Sequence, residues 1–533
     1  MLLLTHALVH TLNPSQPTAS ALAIEGGRVV AAGTHDALLA EFGGRARAIN
    51  LAGQIVLPGL TDAHLHLQHY AHGLARVDCE TATLAECLRR VRERVEATPP
   101  GAWALGHGWQ QNDWLDCTGG IGGFPTAGML DEISTQHPIY LTAKSLHAGW
   151  ANTAALRAAG ITAHTPNPPG GALQRHPDGS PTGILLEGAM SLVSSAIPQP
   201  TDEQIAADIT AAQAHLWRLG LTGVHDFDRR RCFIALQTMQ ARGSLNLRIC
   251  KSIPVEELDH AIGIGLRTGF GNDMLRIGNV KAFADGALGP RTAAMLQPYQ
   301  GEPGNLGMLL LDSEAITEFG QKAARHGLGL TIHAIGDRAN HEALNAYASL
   351  RAYENEHRLP AHRHRLEHVQ IIHPDDLPRL ARHNIIASMQ PIHATSDMYA
   401  ADQYWGDRAE YAYAWQKIRQ TGAALAFGSD APVESPNPFR GIHAAVTRTR
   451  PGGLPAPEGW RPSEKLSVMQ AVHGFTRGAA YAAGMEDRLG QLAPGFLADL
   501  IVLDTDPFTC EADRLSEILP VKTMVNGAWV YEA

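Results

Sequence analysis

The chain has 533 residues, 44% hydrophobic and 18% charged, with a net charge of −10. That length predicts two to four domains of about 100–200 residues, or one large α/β domain with insertions, and the balance excludes a disordered or collagen-like chain. With 53 Asp and Glu against 43 Lys and Arg, the sequence also speaks against a nucleic-acid partner, whose phosphates call for a basic face.

In chain order, Met1-Leu-Leu-Leu with His6 and His10 carries no basic run, so it reads as a strand rather than a signal peptide. Two short apolar runs in 21–33, divided by Glu25-Gly26-Gly27, predict a hairpin. A first buried strand is expected at 55–60. About 160 residues then intervene before the next candidate, in a segment too long for an ordinary connection. This segment holds a predicted helix at 84–96, a strand at 138–143 and a Pro/Gly-rich stretch at 166–184. Further strands are expected at 223–227, 247–253, 279–283, 329–333, 365–369, 385–390 and 424–429, with helical patterns at 317–326, 339–357 and 375–383. Eight strands alternating with helices predict an α/β fold, the (β/α)8 TIM barrel. The long segment then reads as an insertion on the first βα loop, at the face where such barrels carry their sites. The chain turns β-rich again with a strand at 498–504 and a hairpin over 521–531 around Asn526-Gly527.

Six Cys at 79, 87, 117, 232, 250 and 510 are too scattered for a disulfide framework and fit a reducing compartment. There is no CxxC to suggest a zinc ribbon, and no apolar run approaches a membrane span, so the cytoplasm is the expected location. The 27 His are about double the ordinary share and invite a metal or proton-transfer reading.

Several of those His fall at predicted strand ends. His64 and His66 stand two apart, so on a strand both point the same way and can grip one metal. Alone the pair is a weak signal, since His362 and His364 repeat it in a polar stretch that, with His357, reads as solvated surface. Later strand ends add Lys281, His333, His368 and Asp430. Each singly is more often a hydrogen-bonded neighbour than a ligand. Jointly they lie where barrel enzymes place their active sites.

The set resembles the amidohydrolase superfamily, and longer motifs resemble amidohydrolase family 3, the YtcJ-like metal-dependent hydrolases. These are Leu57-Pro-Gly-Leu-Thr-Asp-Ala-His-Leu-His66, Gly106-His-Gly-Trp-Gln110, Lys281-Ala-Phe-Ala-Asp-Gly-Ala-Leu-Gly-Pro-Arg291, His333-Ala-Ile-Gly-Asp-Arg338, Glu367-His-Val369 and Gly428-Ser-Asp-Ala-Pro-Val433. In the insertion, Trp150-Ala-Asn152 and Ala154-Ala-Leu156 match, while Ser145-Leu146-His147 stands where the family commonly carries Asp-Gly-His. The resemblance implies a small composite β-sandwich from residues 1–57 and 486–533, and a barrel over 58–485 with a subdomain inserted at about 70–215.

It also implies a site. His64 and His66 would hold the more buried metal with Asp430 nearby, and His333 and His368 a second. Two Zn2+ suit these donors, though Mn2+, Co2+ or Fe2+ fit as well. Lys281, which as an ammonium has no lone pair to give, would be carboxylated by CO2 to a bridging carbamate. The alternative for Lys281 is a buried lysine paired with Asp285. Glu187 is a second candidate for the carboxylate ligand, or a charge at a helix N-terminus. The implied reaction is hydrolysis of a non-peptide C–N bond in an amide, formamide or cyclic amide by a metal-activated hydroxide. Asp430 serves as general base. Arg291 and Arg338 are candidates to bind an acidic or carbonyl group, or to brace loops. Trp109, Gln110 and His147 are candidate pocket-wall residues, with Trp109 equally able to pack the insertion's own core. A mononuclear deaminase and a non-catalytic small-molecule binding barrel are the alternatives. Symmetry base rates suggest a homodimer.

Overall fold

Parallel strands buried on both faces run through the middle of the chain. The computed structural model describes residues 1–111, 114–116, 124–143 and 148–533. The strands are β1 (Leu60–Leu65), β2 (Leu221–Asp226), β3 (Arg248–Pro254), β4 (Leu275–Phe283), β5 (Leu330–Ala334), β6 (Arg365–His368), β7 (Ile386–Met389) and β8 (Leu425–Phe427). They pair in chain order, every neighbour parallel. Beyond β8 the chain returns to β1. The Asp430 N–H donates to the His64 carbonyl at 2.7 Å, and the His66 N–H to the Ala431 carbonyl at 2.9 Å. The sheet therefore curls back on itself as a TIM-type barrel.

The first strand differs from the sequence expectation. The apolar run at 55–60 divides at Gly59. Ile55–Pro58 joins another sheet, and the barrel strand begins at Leu60. A Cβ on Gly59 would lie 2.3 Å from the Thr222 side chain, so the crossing admits no larger residue. The other seven barrel strands fall close to the predicted ranges. Helices separate them. Ser313–Arg325 starts on the Asp312 carboxylate, which accepts from the Ala315 N–H, and ends with Lys322 and Arg325 complementing its dipole. The helix expected at 375–383 is a short 3-10 turn, Pro374–Asp376, followed by Leu377–Arg382.

Two more sheets come from the chain ends. One orders Arg28–Gly33, Ala21–Glu25, Leu2–Thr5 and Arg47–Asn50. The other orders Ala528–Glu532, Lys522–Val525, Leu500–Leu503, Ile55–Pro58, Leu8–His10 and Thr18–Ala19. Leu4, Leu22 and Ile24 from the first, and Val9, Val56 and Leu500 from the second, share one hydrophobic cluster. The hairpin at Asn526-Gly527 has positive φ at both positions, as a two-residue turn of this kind needs.

Residues 71–208 form a unit of their own. Its sheet orders Gly171–Arg175, Pro181–Glu187, Ala148–Ala151, Ile139–Ala143, Ala104–Trp109 and Val77–Asp78. Helix Leu84–Glu96, capped by Thr83 at the Glu86 N–H, buries Cys87, Val91 and Val95 in the same cluster as Trp109, Trp114 and Trp150. Among the described residues no helix is long and apolar enough to cross a membrane.

One buried ion pair ties β3 to the terminal sheets. Arg248 meets Asp499 through two nitrogens, one at 2.8 Å, and both residues are about nine-tenths or more buried. Asp499 also accepts from the Asn526 N–H at 2.8 Å. Removing one partner strands a buried guanidinium. Asp499→Ala is therefore expected to lower unfolding stability by about 3–5 kcal/mol, read from the midpoint shift in urea.

Candidate active site

The site is assembled at the ends of the barrel strands. On β1 the residues Asp62 and His64 face the same way by the two-residue repeat, and His66 follows at the strand's end. The Asp62 carboxylate accepts from the His64 N–H and the Ser429 N–H, each at 3.0 Å, and from the Ser429 hydroxyl. It thereby clips β1 to the segment that carries Asp430. Asp430 itself sits at φ 62°, a left-handed conformation that an L-residue keeps only when its surroundings enforce it.

On β6 strict alternation would send consecutive residues to opposite faces. His368 instead takes φ 75° and Val369 φ 44°. This turn lets Glu367 and His368 both reach the interior.

The expected ligand residues converge. His64 Nε2 lies 3.6 Å and His66 Nε2 3.5 Å from Asp430 Oδ1. One ligand atom each from His64, His368 and Asp430 lie within 4.8 Å of one another. The His368 ring is 4.8 Å from that of His64 and 4.5 Å from that of His333. Lys281 is buried, and its Nζ has no hydrogen-bond partner. It stands 4.8 Å from the ring centres of both Phe227 and Phe283. The alternative pairing with Asp285 is not made. The Asp285 carboxylate instead accepts from the N–H groups of Ala294, Ile335 and Gly336.

Each imidazole has one nitrogen engaged by a neighbour. His64 Nδ1 is 2.6 Å from Glu367 Oε2, and His66 Nδ1 is 3.3 Å from Asp228 Oδ1. His333 Nε2 donates to the Gly286 carbonyl at 2.9 Å, and His368 Nδ1 meets Gln390 Oε1 at 2.9 Å. The other nitrogen of each ring is left for a cation. Burial holds His64 and His368 well below the usual imidazole range, helped by the Lys281 charge and by neighbouring rings, and takes His333 to about 3. Neutral imidazole is the form that ligates, so this donor set fits a divalent metal. Burial also raises the Asp430 carboxyl and lowers the Lys281 ammonium, the change that exposes an amine lone pair.

The remaining candidates scatter. Trp109 is fully buried, its indole N–H bonded to the Leu141 carbonyl at 2.9 Å. It packs the core of residues 71–208 and is not a pocket wall. Gln110 is half-buried just beyond strand Ala104–Trp109. His147 lies outside the described residues. Glu187 is exposed at the end of its strand with φ 49°, and the next helix begins only at Met190. Arg291 braces its loop through Glu302 at 3.0 Å and the Tyr404 ring. Arg338 is half-buried in the first turn of helix Asp337–Glu356. His364, expected on the surface, is completely buried, stacked on Tyr347 and bonded to Glu354 at 3.0 Å. His357 is exposed.

Sequence reasoning assigned no role to the supporting residues Asp62, Asp228, Glu367 and Gln390, although Asp62 and Glu367 stand inside the motifs. Each stands within two residues of a strand end already singled out, which was the available signal.

A barrel with these donors at its strand ends defines a metal-dependent hydrolase. The amidohydrolase family model (Amidohydro_3) matches residues 47–531, and the chain belongs to that family. It is 32% identical to the putative amidohydrolase YtcJ of Bacillus subtilis (strain 168), over 98% of each chain. It is 28% identical to the N-substituted formamide deformylase of Arthrobacter pascens, over 100% of this chain and 98% of that one. Among solved structures, an uncharacterized metal-dependent hydrolase from Pyrococcus furiosus superposes with a TM-score of 0.77 at 28% identity, covering 95% of this chain and 99% of that one.

Because Glu367 orients His64 through its outer nitrogen, Glu367→Gln is expected to weaken retention of a divalent metal by about 10–100-fold. Elemental analysis after dialysis against graded chelator reads the change.

Proposed function

We propose that this amidohydrolase cleaves a non-peptide C–N bond in a small amide, formamide or cyclic amide, with Asp430 as general base. The observation that carries this reading is the convergence of His64, His66, His333, His368, Lys281 and Asp430, with the outer nitrogen of every imidazole already engaged. The N-substituted formamide deformylase among the relatives supports the bond class. A β domain built from both chain ends and a subdomain inserted after β1 belong to the same reading.

His64, His66 and Asp430 would hold one divalent cation, and His333 and His368 a second, with Zn2+ the favoured metal. When bound, such cations acidify a water and polarise a carbonyl. Lys281 would supply an anion to offset their charge. Its neutral Nζ forms an N–C bond with CO2 and releases one proton, giving a carbamate. Phe227 and Phe283 beside Nζ keep water away from that amine. Asp430 accepts the proton of the attacking water and returns it to the departing nitrogen. Its strained backbone, bonded to the His64 carbonyl, holds the carboxylate against His64 and His66.

Two measurements test this. The Zn2+-loaded protein should turn over a member of a panel of amides, formamides and cyclic amides. Asp430→Asn should then retain most of its metal while kcat falls about 10²–10⁴-fold. An unchanged rate removes Asp430 from the reaction. Protein loaded in 13C-bicarbonate should show a carbamate carbon resonance that Lys281→Met abolishes, and its absence from metal-loaded protein rules the carbamate out.

A further inference from the structure

We infer that His393 is a further catalytic residue, whose Nε2–H donates a hydrogen bond to the substrate's carbonyl oxygen beside Asp430. This rests on the hydrolase reading above and adds a residue that neither the ligand set nor the general base includes.

His393 stands in the first turn of helix Pro391–Trp405, which follows directly on β7. It is 6% exposed. Its ring lies parallel to that of His368, the planes 4° apart and the centres 6.2 Å apart. One nitrogen is engaged, with Gln370 Nε2 3.3 Å from Nδ1. With an amide N–H on Nδ1, the ring proton sits on Nε2. That nitrogen has no hydrogen-bond partner. Asp430 Oδ2 is 3.9 Å away, beyond hydrogen-bond reach, and the Ser429 backbone lies against the ring.

An orphaned donor at this depth is costly, and native structures keep one where a ligand completes it. The group facing Nε2 is the proposed general base, so an acceptor bonded to Nε2 also lies beside the carboxylate. In hydrolysis that acceptor is the carbonyl oxygen. Its charge grows as water oxygen bonds to the carbonyl carbon and the C=O π pair moves onto it. A fixed donor then binds more strongly than in the ground state. A substrate presenting a carbonyl oxygen suits the site, and an aromatic amine without one does not.

His393→Leu removes the donor, while His393→Gln keeps an N–H on a side chain of similar reach. With the best substrate of the panel, the Leu variant should lose about 10²–10³-fold in kcat with KM little changed. The Gln variant should recover at least about tenfold of that loss. Metal content by elemental analysis and the thermal midpoint should match wild type in both. Wild-type kcat in the Leu variant, a Gln variant no better than Leu, or loss of metal from both overturns the assignment. If the wild-type protein turns over nothing in the panel, the hydrolase reading itself falls and takes this inference with it.

Discussion

The seam where β8 returns to β1 is the constraint on which the rest of the site depends. A single buried carboxylate, Asp62, takes three donors there, one from β1 and two from Ser429. The approach is so close that a Cβ on Gly428 would lie 2.5 Å from the His64 nitrogen. His64 lies on β1, His66 just past its end and Asp430 just beyond β8, so this seam sets their distances. The left-handed backbone at Asp430 costs about 1–3 kcal/mol, held in place by the bond from its own N–H to His64.

Beneath this layer the barrel interior is charged, and the charges are arranged to balance. Arg365 Nε forms an ion pair with Glu367 Oε1 at 2.8 Å, while one terminal nitrogen bonds His225 and the other donates to the Ala63 carbonyl and the Ser388 hydroxyl. Glu367 is thereby paired at full burial, one oxygen facing Arg365 and the other His64. On the far side of β2, Lys251 does the same for Asp226 at 2.8 Å. Removing one member of such a network leaves a bare charge in a low dielectric. This is why residues set back from the site govern the orientation of those that line it.

Much of the barrel was legible because its strands are short apolar runs ending in polar residues, and the two-residue repeat made His64 and His66 readable as one grip. The repeat also explains what was missed. It places Glu367 and His368 on opposite faces, and only the positive φ at His368, which no local signal announces, brings both inward. The run at 55–60 looks like one strand, because an apolar pattern does not record that Gly59 lets the chain change sheets. His364 looked solvated amid charged neighbours, yet Glu354, ten residues away on a helix, supplies a buried partner. Trp109 was open to two readings, and its burial chose the core. His393 was passed over because it stands four residues beyond the end of β7 rather than at the strand end, and its significance lies in a distance to Asp430.

The strand Ile55–Pro58 pairs in parallel with Leu8–His10 on one edge and antiparallel with Leu500–Leu503 on the other. The second partner is roughly 440 residues downstream, so at ordinary translation rates this apolar edge stands open on the ribosome for on the order of half a minute or more. During that interval it is a template for another nascent chain. The order of synthesis therefore leaves the N-terminal sheet incomplete until the last β-rich segment has emerged.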